Sequence, residues 1–268
     1  MTSAFWMVAS RCATVIVVFP SIKRARPSRT SFSEAASRRS EYATPVYVRT
    51  NSPQSDLIEQ DLKAAKGFDG IVLPKVSSAA EVRHIGAQVD SKMHIMPSIE
   101  DAKGVVSAYQ IASADIRVNA LVFGVFDFLH DMLLDYDEND DSGYAYARTK
   151  VPVDARAAGI AAIDGIWQKV DDIDGLVRDA TIAKRLGYSG KSIIHPGQID
   201  PVHNVFRPTK VEVEWAKKVV EALSGVMEKG NRRECKCGAT PSTIRICHHT
   251  NICICEDGRC ISILAACR

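Results

Sequence analysis

Residues 93–127, MHIMPSIEDAKGVVSAYQIASADIRVNALVFGVFD, hold two short apolar runs of β type, 93–100 and 119–124, separated by a stretch of helical character. Each run leads into an acid, Glu100 at the end of the first and Asp127 just beyond the second. Short continuous apolar runs alternating with helical segments are the pattern of parallel strands buried on both faces. The unit recurs on both sides. Runs at 46–49 (VYVR), 70–75 (GIVLPK), 160–165 (IAAIDG) and 191–196 (KSIIHP) complete a series of six whose starts lie 23 to 41 residues apart. Residues 77–89 predict one of the intervening helices, with a serine cap ahead of an acid in the first turns. Six such units predict either a (β/α)8 barrel or a doubly wound sheet.

The residues that close the runs favour the barrel. Arg49, Lys75, Glu100, Asp127, Asp164 and His195 all fall at, or just past, the C-terminal end of a predicted strand. In a parallel barrel those ends converge on one rim, where active sites are built. No G-x-G-x-x-G follows any strand, so a dinucleotide-binding sheet is not supported. Glu100 and Asp127 belong to neighbouring strands, which stand about 4.8 Å apart, so their carboxylates can share one hard cation. Mg²⁺ fits such a pair because it takes one or two carboxylates and leaves positions for water and substrate oxygens. Arg49, on an earlier strand, can fork onto a substrate carboxylate or a developing oxyanion. A metal, two carboxylates and an arginine suit an enolate-forming reaction on an oxoacid.

Apolar residues make up 46% of the 268 and charged residues 25%, which excludes a wholly disordered, collagen-like or coiled-coil chain. The longest apolar run, 13–19, is far short of the roughly 20 residues a membrane span needs, so the chain reads as soluble with no membrane partner. A net charge of +2 makes no case for nucleic acid. Its distribution is uneven: +5 over residues 1–45, −6 over 46–230 and +3 over 231–268. Seven of the eight cysteines lie from Cys235 onward. The middle segment therefore reads as a reduced intracellular domain between two ends of foreign composition.

The motifs VYVRTN, GIVLPKV, IMPSIEDAKGV, NALVFGVFDFLHD, YAYAR, ARAAGIAAIDG and GYSGKSIIHPGQI occur in this order between about residues 45 and 223. Together they resemble the CoA-ester lyases of the citrate lyase β-subunit group, which includes malyl-CoA and citramalyl-CoA lyases, within the HpcH/HpaI aldolase superfamily. The resemblance implies a TIM-type (β/α)8 barrel that cleaves a 3-hydroxyacyl-CoA of malyl-, citramalyl- or citryl-CoA type into an acyl-CoA and a 2-oxoacid. It implies Arg49 as the substrate-binding arginine, Glu100 and Asp127 as Mg²⁺ ligands, and Lys75, Asp164 and His195 as further substrate-binding positions on the rim. It also implies a homo-oligomer, trimeric or hexameric, in the cytoplasm or the mitochondrial matrix.

The ends depart from the family pattern. Residues 1–45 show neither of its first two strands; TVIVVF at 14–19 offers one at most, and 45 residues are too few for two βα units with a leader. The segment 1–33 is acid-free and rich in Arg and Ser, as in a transit peptide, although an arbitrary N-terminus reads equally well. Phe126 stands where the family commonly has Glu. Residues 231–268 bear little likeness to the family's lid, and its aspartate aligns at best with Ser262. For that tail the order of expectation is a frameshifted or truncated end, then a zinc site weakened by its C-x-C spacing, then disulfides. The chain is accordingly expected to be a Mg²⁺-dependent lyase. The rivals are a non-catalytic remnant acting as a binding protein, and an aldolase on free hydroxy-oxoacids.

Overall fold

The computed structural model describes residues 44–137 and 140–228, together with strands at Ala4–Ala9, Ala13–Val18, Thr250–Cys253 and Ser262–Ala265. The chain divides into two compact units, Met1–Phe206 and Arg207–Arg268. No helix among the described residues is long and apolar enough to cross a membrane.

The first unit carries eight strands: β1 (Ala4–Ala9), β2 (Ala13–Val18), β3 (Val46–Arg49), β4 (Gly70–Leu73), β5 (His94–Ile99), β6 (Ala120–Phe123), β7 (Ala161–Asp164) and β8 (Gly190–Ile193). They hydrogen-bond in sequence order into a closed barrel. From β2 to β8 every pair is parallel. All six runs expected from the apolar pattern are strands. The expectation that residues 1–45 supply at most one strand is corrected: β1 pairs antiparallel with both β2 and β8. Three residues join β1 to β2, so an antiparallel hairpin closes the sheet where two βα units would need far more chain.

The connections from β3 onward are helical: α1 (Ile58–Ala64), α2 (Ala79–Gly86), α3 (Ala102–Val106), α4 (Ala108–Ala112), α5 (Val125–Asp131), α6 (Ala145–Ala157), α7 (Ile173–Leu186) and α8 (Ile199–Phe206). Local signals set their ends. Ser78 caps α2 in a full capping box with Glu81, as the sequence suggested. Asp172 caps α7, which stops at Gly187 in the left-handed conformation, φ 99°.

Strand alternation divides the buried side chains into two sets. Tyr47, Val72, Met96, Ala120, Val122 and Ile163 pack together in one cluster. Val48, Ile71, Ile95, Leu121, Phe123 and Ala162, their neighbours along the same strands, pack in another with the helical residues Ile85, Ile111, Val151 and Leu176. The first set fills the barrel and the second seals it to the helices. At the N-terminal end of the barrel, the Tyr47 hydroxyl accepts a bond from Asn119 Nδ2 at 2.6 Å. Gly70 is required there, because a Cβ would meet the Tyr47 ring at 2.4 Å.

In the second unit α9 (Lys210–Glu228) is followed by β9 (Thr250–Cys253) and β10 (Ser262–Ala265), which pair antiparallel. Apart from those strands the cysteine-rich tail lies outside the described residues, and so does the segment expected to act as a leader except for β1 and β2.

Candidate active site

Arg49 and Glu100 share the strand face of Tyr47 and Met96, inside the barrel, because each stands an even number of residues from its interior neighbour. Arg49 ends β3. The turn after it is pinned to α1, since the backbone N–H and the side-chain amide of Asn51 both donate to Asp61 Oδ2, at 2.7 and 2.8 Å. Glu100 follows β5 directly, and Asp101 behind it caps α3. Arg49 Nη2 lies 3.5 Å from Glu100 Oε1.

Asp127 is not at a strand end but in the first turn of α5, four residues past β6. Its Oδ1 accepts a bond from Lys75 Nζ at 3.0 Å. Lys75 reaches it from just past β4 through a backbone in the left-handed region, φ 54°, which is strained for a residue with a Cβ. Two ion pairs, Arg49–Glu100 and Lys75–Asp127, therefore stand at the C-terminal end of the strands. Glu100 and Asp127 both line a cavity of about 300 Å³ together with Arg49.

Burial is the largest influence on Glu100 and raises its carboxyl pKa above the ordinary 4.5, against the opposing pull of Arg49, Ser98 and Lys75. Its Oε2 atom is buried and has no hydrogen-bond partner. A buried carboxylate oxygen without a donor is costly and calls for a cation or a proton. Gly124, between β6 and α5, makes the room for this side chain: a Cβ there would lie 2.5 Å from Glu100 Cγ. The donor set thus suits one hard divalent ion such as Mg²⁺, held by Glu100 Oε2 and Asp127 with remaining positions for water or substrate. Among the described residues no group of three or more His, Cys, Asp or Glu that could hold a metal ion is gathered, so the protein side of the site is a pair of carboxylates.

Asp164 and His195 stand apart from this cavity. Asp164 lies on the outer face of β7, with Ala162, and is 1% exposed. It accepts bonds from Arg148 Nε and Nη2 of α6 at 3.1 and 2.7 Å, and from Lys191 Nζ of β8 at 2.8 Å. Asp179 of α7 completes the cluster against Arg148 and Lys191. Burial works to raise the Asp164 pKa, but Lys191 and Arg148 outweigh it and hold the carboxyl below its ordinary value. His195 is exposed and caps the short turn Pro196–Gln198, its Nδ1 accepting from the Gly197 N–H at 3.1 Å. The sequence reading passed over Ser98, Gly124, Ile166 and Ser192, all of which line the cavity. Gly124 alone carried a visible signal, a glycine at a strand–helix junction three residues before an acid.

A family model described as HpcH/HpaI aldolase/citrate lyase matches residues 20–196. The chain is 33% identical over 201 residues to the citrate lyase subunit beta of Leuconostoc mesenteroides subsp. cremoris, covering 70% of this chain and 66% of that protein. It is 31% identical over 208 residues to the mitochondrial citramalyl-CoA lyase of Mus musculus, covering 70% of this chain and 61% of that one. It thus spans about two thirds of the length of these relatives. Among solved structures, the citrate lyase beta subunit from M. tuberculosis complexed with oxaloacetate and magnesium is 25% identical. That comparison has a TM-score of 0.57 and covers 72% of this chain and 86% of the other.

Proposed function

We propose that this chain, which belongs to the HpcH/HpaI aldolase/citrate lyase family, is a Mg²⁺-dependent carbon–carbon lyase. It cleaves a 3-hydroxyacyl-CoA into a shorter acyl-CoA and a 2-oxoacid, on a TIM-type barrel whose first two strands form a hairpin. The observation that carries the reading is the buried, unpartnered Oε2 of Glu100 in a cavity it shares with Asp127 and Arg49. The relatives named as acting on CoA esters, and the relative bound to magnesium and oxaloacetate, support it.

In the reaction the substrate hydroxyl loses its proton and becomes the carbonyl of the oxoacid. The bond between its carbon and the α-carbon of the thioester breaks. That electron pair is left on the α-carbon as a thioester enolate, which then takes up a proton. Bound Mg²⁺ supplies positive charge where the oxoacid oxygens gather electron density. Arg49 holds a flat fork of donors at the cavity, suited to the substrate carboxylate or to the oxygen that becomes anionic. Glu100 fixes Arg49 through its Oε1 and keeps Oε2 for the ion. Lys75 orients Asp127. The cavity is sized for the acyl end of the substrate, with the CoA body outside it.

The test is release of free acyl-CoA and 2-oxoacid from malyl-, methylmalyl-, citramalyl- and citryl-CoA, with and without Mg²⁺, beside the corresponding free hydroxyacids. Metal-dependent cleavage of a thioester, with the free acids inert, is the expected result. Cleavage of the free acids would make the chain an aldolase of the other kind, and no cleavage by folded protein would leave a non-catalytic remnant. Light scattering checks the homo-oligomer, trimer or hexamer, that forms part of this reading.

A further inference from the structure

The cavity is divided by charge. Its charged lining residues, among those described, are Arg49, Glu100 and Asp127, with Lys75 on Asp127. These four groups sum to zero, so a bound divalent ion leaves two positive charges. One substrate carboxylate and one developing oxyanion balance them. Among the described residues the rest of the lining is uncharged: Ser98, Ser192 and Gln168 are polar, while Val125, Phe126 and Ile166 make an apolar patch that includes the start of α5.

This apolar wall is held rigidly. The Phe126 ring packs on Tyr136 with centroids 4.9 Å apart. Gly165 lies so close to Val125 that a Cβ would stand 3.1 Å from its Cγ1. Two fully buried side chains then clamp the segment carrying Ile166. Lys191 Nζ donates to the Gly165 carbonyl at 2.7 Å, and Gln198 Nε2 donates to the Trp167 carbonyl at 3.2 Å. Gln198 Oε1 accepts from the Ile194 N–H at 3.0 Å, which fixes the clamp to the end of β8. Among the described residues this wall therefore offers no charge to meet a second carboxylate.

We infer that the site takes an ester whose oxoacid half bears a single carboxylate and, beside it, hydrogen or a small alkyl group. Malyl- and citramalyl-CoA meet this description; citryl-CoA, which brings a second carboxylate, does not. The inference rests on the lyase reading above. A methyl group gains by contact with such a wall, whereas an ionised group placed against it gives up hydration without gaining a charged partner.

The wild-type protein decides the matter. The kcat/KM for citramalyl-CoA is expected to exceed that for citryl-CoA by about 100-fold or more. With Mg²⁺ present, titration calorimetry at low temperature should show pyruvate binding at least about 10-fold more tightly than freshly dissolved oxaloacetate. Phe126→Arg, which puts a cation on the wall, should shrink both ratios. Equal or better use of citryl-CoA and oxaloacetate would overturn the inference and leave the lyase reading standing. Preference for pyruvate in binding, with no ester cleaved, would sustain the wall and sink the lyase reading. Neither binding nor cleavage would overturn both.

Discussion

Arg49 Nη2 stands 3.5 Å from Oε1 of Glu100, while the other oxygen of the same carboxylate is buried and bonded to nothing. The arginine thus accounts for half of a buried negative charge and leaves the other half as an unsatisfied cost of the metal-free fold. Such an arrangement is poor for stability and good for holding a cation.

Glu100→Gln should therefore separate function from stability. Burial raises the Glu100 pKa, so the folded chain holds that proton more tightly than the unfolded one. The stability this contributes is present at low pH and is lost as pH rises through the folded value, above 4.5. In metal-free buffer at neutral pH the glutamine variant is expected to melt higher than wild type, by roughly 1 kcal/mol. Its melting temperature should also vary less from mildly acid to neutral pH. Cleavage should fall by about 100-fold or more. Mg²⁺ affinity of the wild type should decline on acidification through the same range, since the ion requires the ionised carboxyl.

Arg49→Met should lower kcat by about 100-fold or more while Mg²⁺ still binds, measurable by titration calorimetry. Removing a cation beside the ion's ligand relieves repulsion, so the affinity for Mg²⁺ alone should hold or improve. Loss of metal binding in this variant would show that the arginine acts by holding the carboxylate in place.

The Lys75–Asp127 pair is about half exposed on both sides and contributes little to folding, on the order of 0–1 kcal/mol. Backbone strain at Lys75 is the larger quantity. Lys75→Gly removes it and Lys75→Ala does not, so the glycine variant should be the more stable of the two by about 1 kcal/mol in denaturant titration. Both should show the same impaired activity.

The cluster of Arg148, Asp164, Lys191 and Asp179 should matter to the fold first. Lys191→Met leaves the buried Asp164 and the partly buried Asp179 short of a partner and should cost about 3–5 kcal/mol. Asp164 is held below its ordinary pKa of 3.8 by Lys191 and Arg148 in spite of burial, so its contribution is present above that value and lost as pH falls through the folded one. Asp164→Asn should accordingly flatten the acid limb of the stability curve.

Most of the barrel was legible because buried parallel strands must be apolar throughout, and six such runs stand out between helical segments. That same uniformity hides which face each residue takes. Glu100 and Asp164 end their runs alike in sequence, yet Glu100 shares the interior face with Met96 while Asp164 shares the outer face with Ala162. One stands at the cavity and the other is locked among Arg148, Lys191 and Asp179 beneath the helices. Alternation cannot be read where both faces are buried. Of the first two strands, TVIVVF offered the second, and the first was missed for a different reason. Closure by a hairpin leaves no helical spacing to detect, and the family pattern directs attention to two longer units. Phe126 was visible as a departure, and its meaning emerged once the ring stood against Tyr136 on the cavity wall.

The most direct test of the account is the position of a divalent ion in crystals grown with Mn²⁺ in place of Mg²⁺ and with pyruvate. An anomalous peak within roughly 2.0–2.3 Å of Glu100 Oε2 and of an Asp127 carboxylate oxygen, with pyruvate oxygens completing its shell and Arg49 beside them, is the predicted result. A peak elsewhere, or none while Lys75 still holds Asp127, would contradict it.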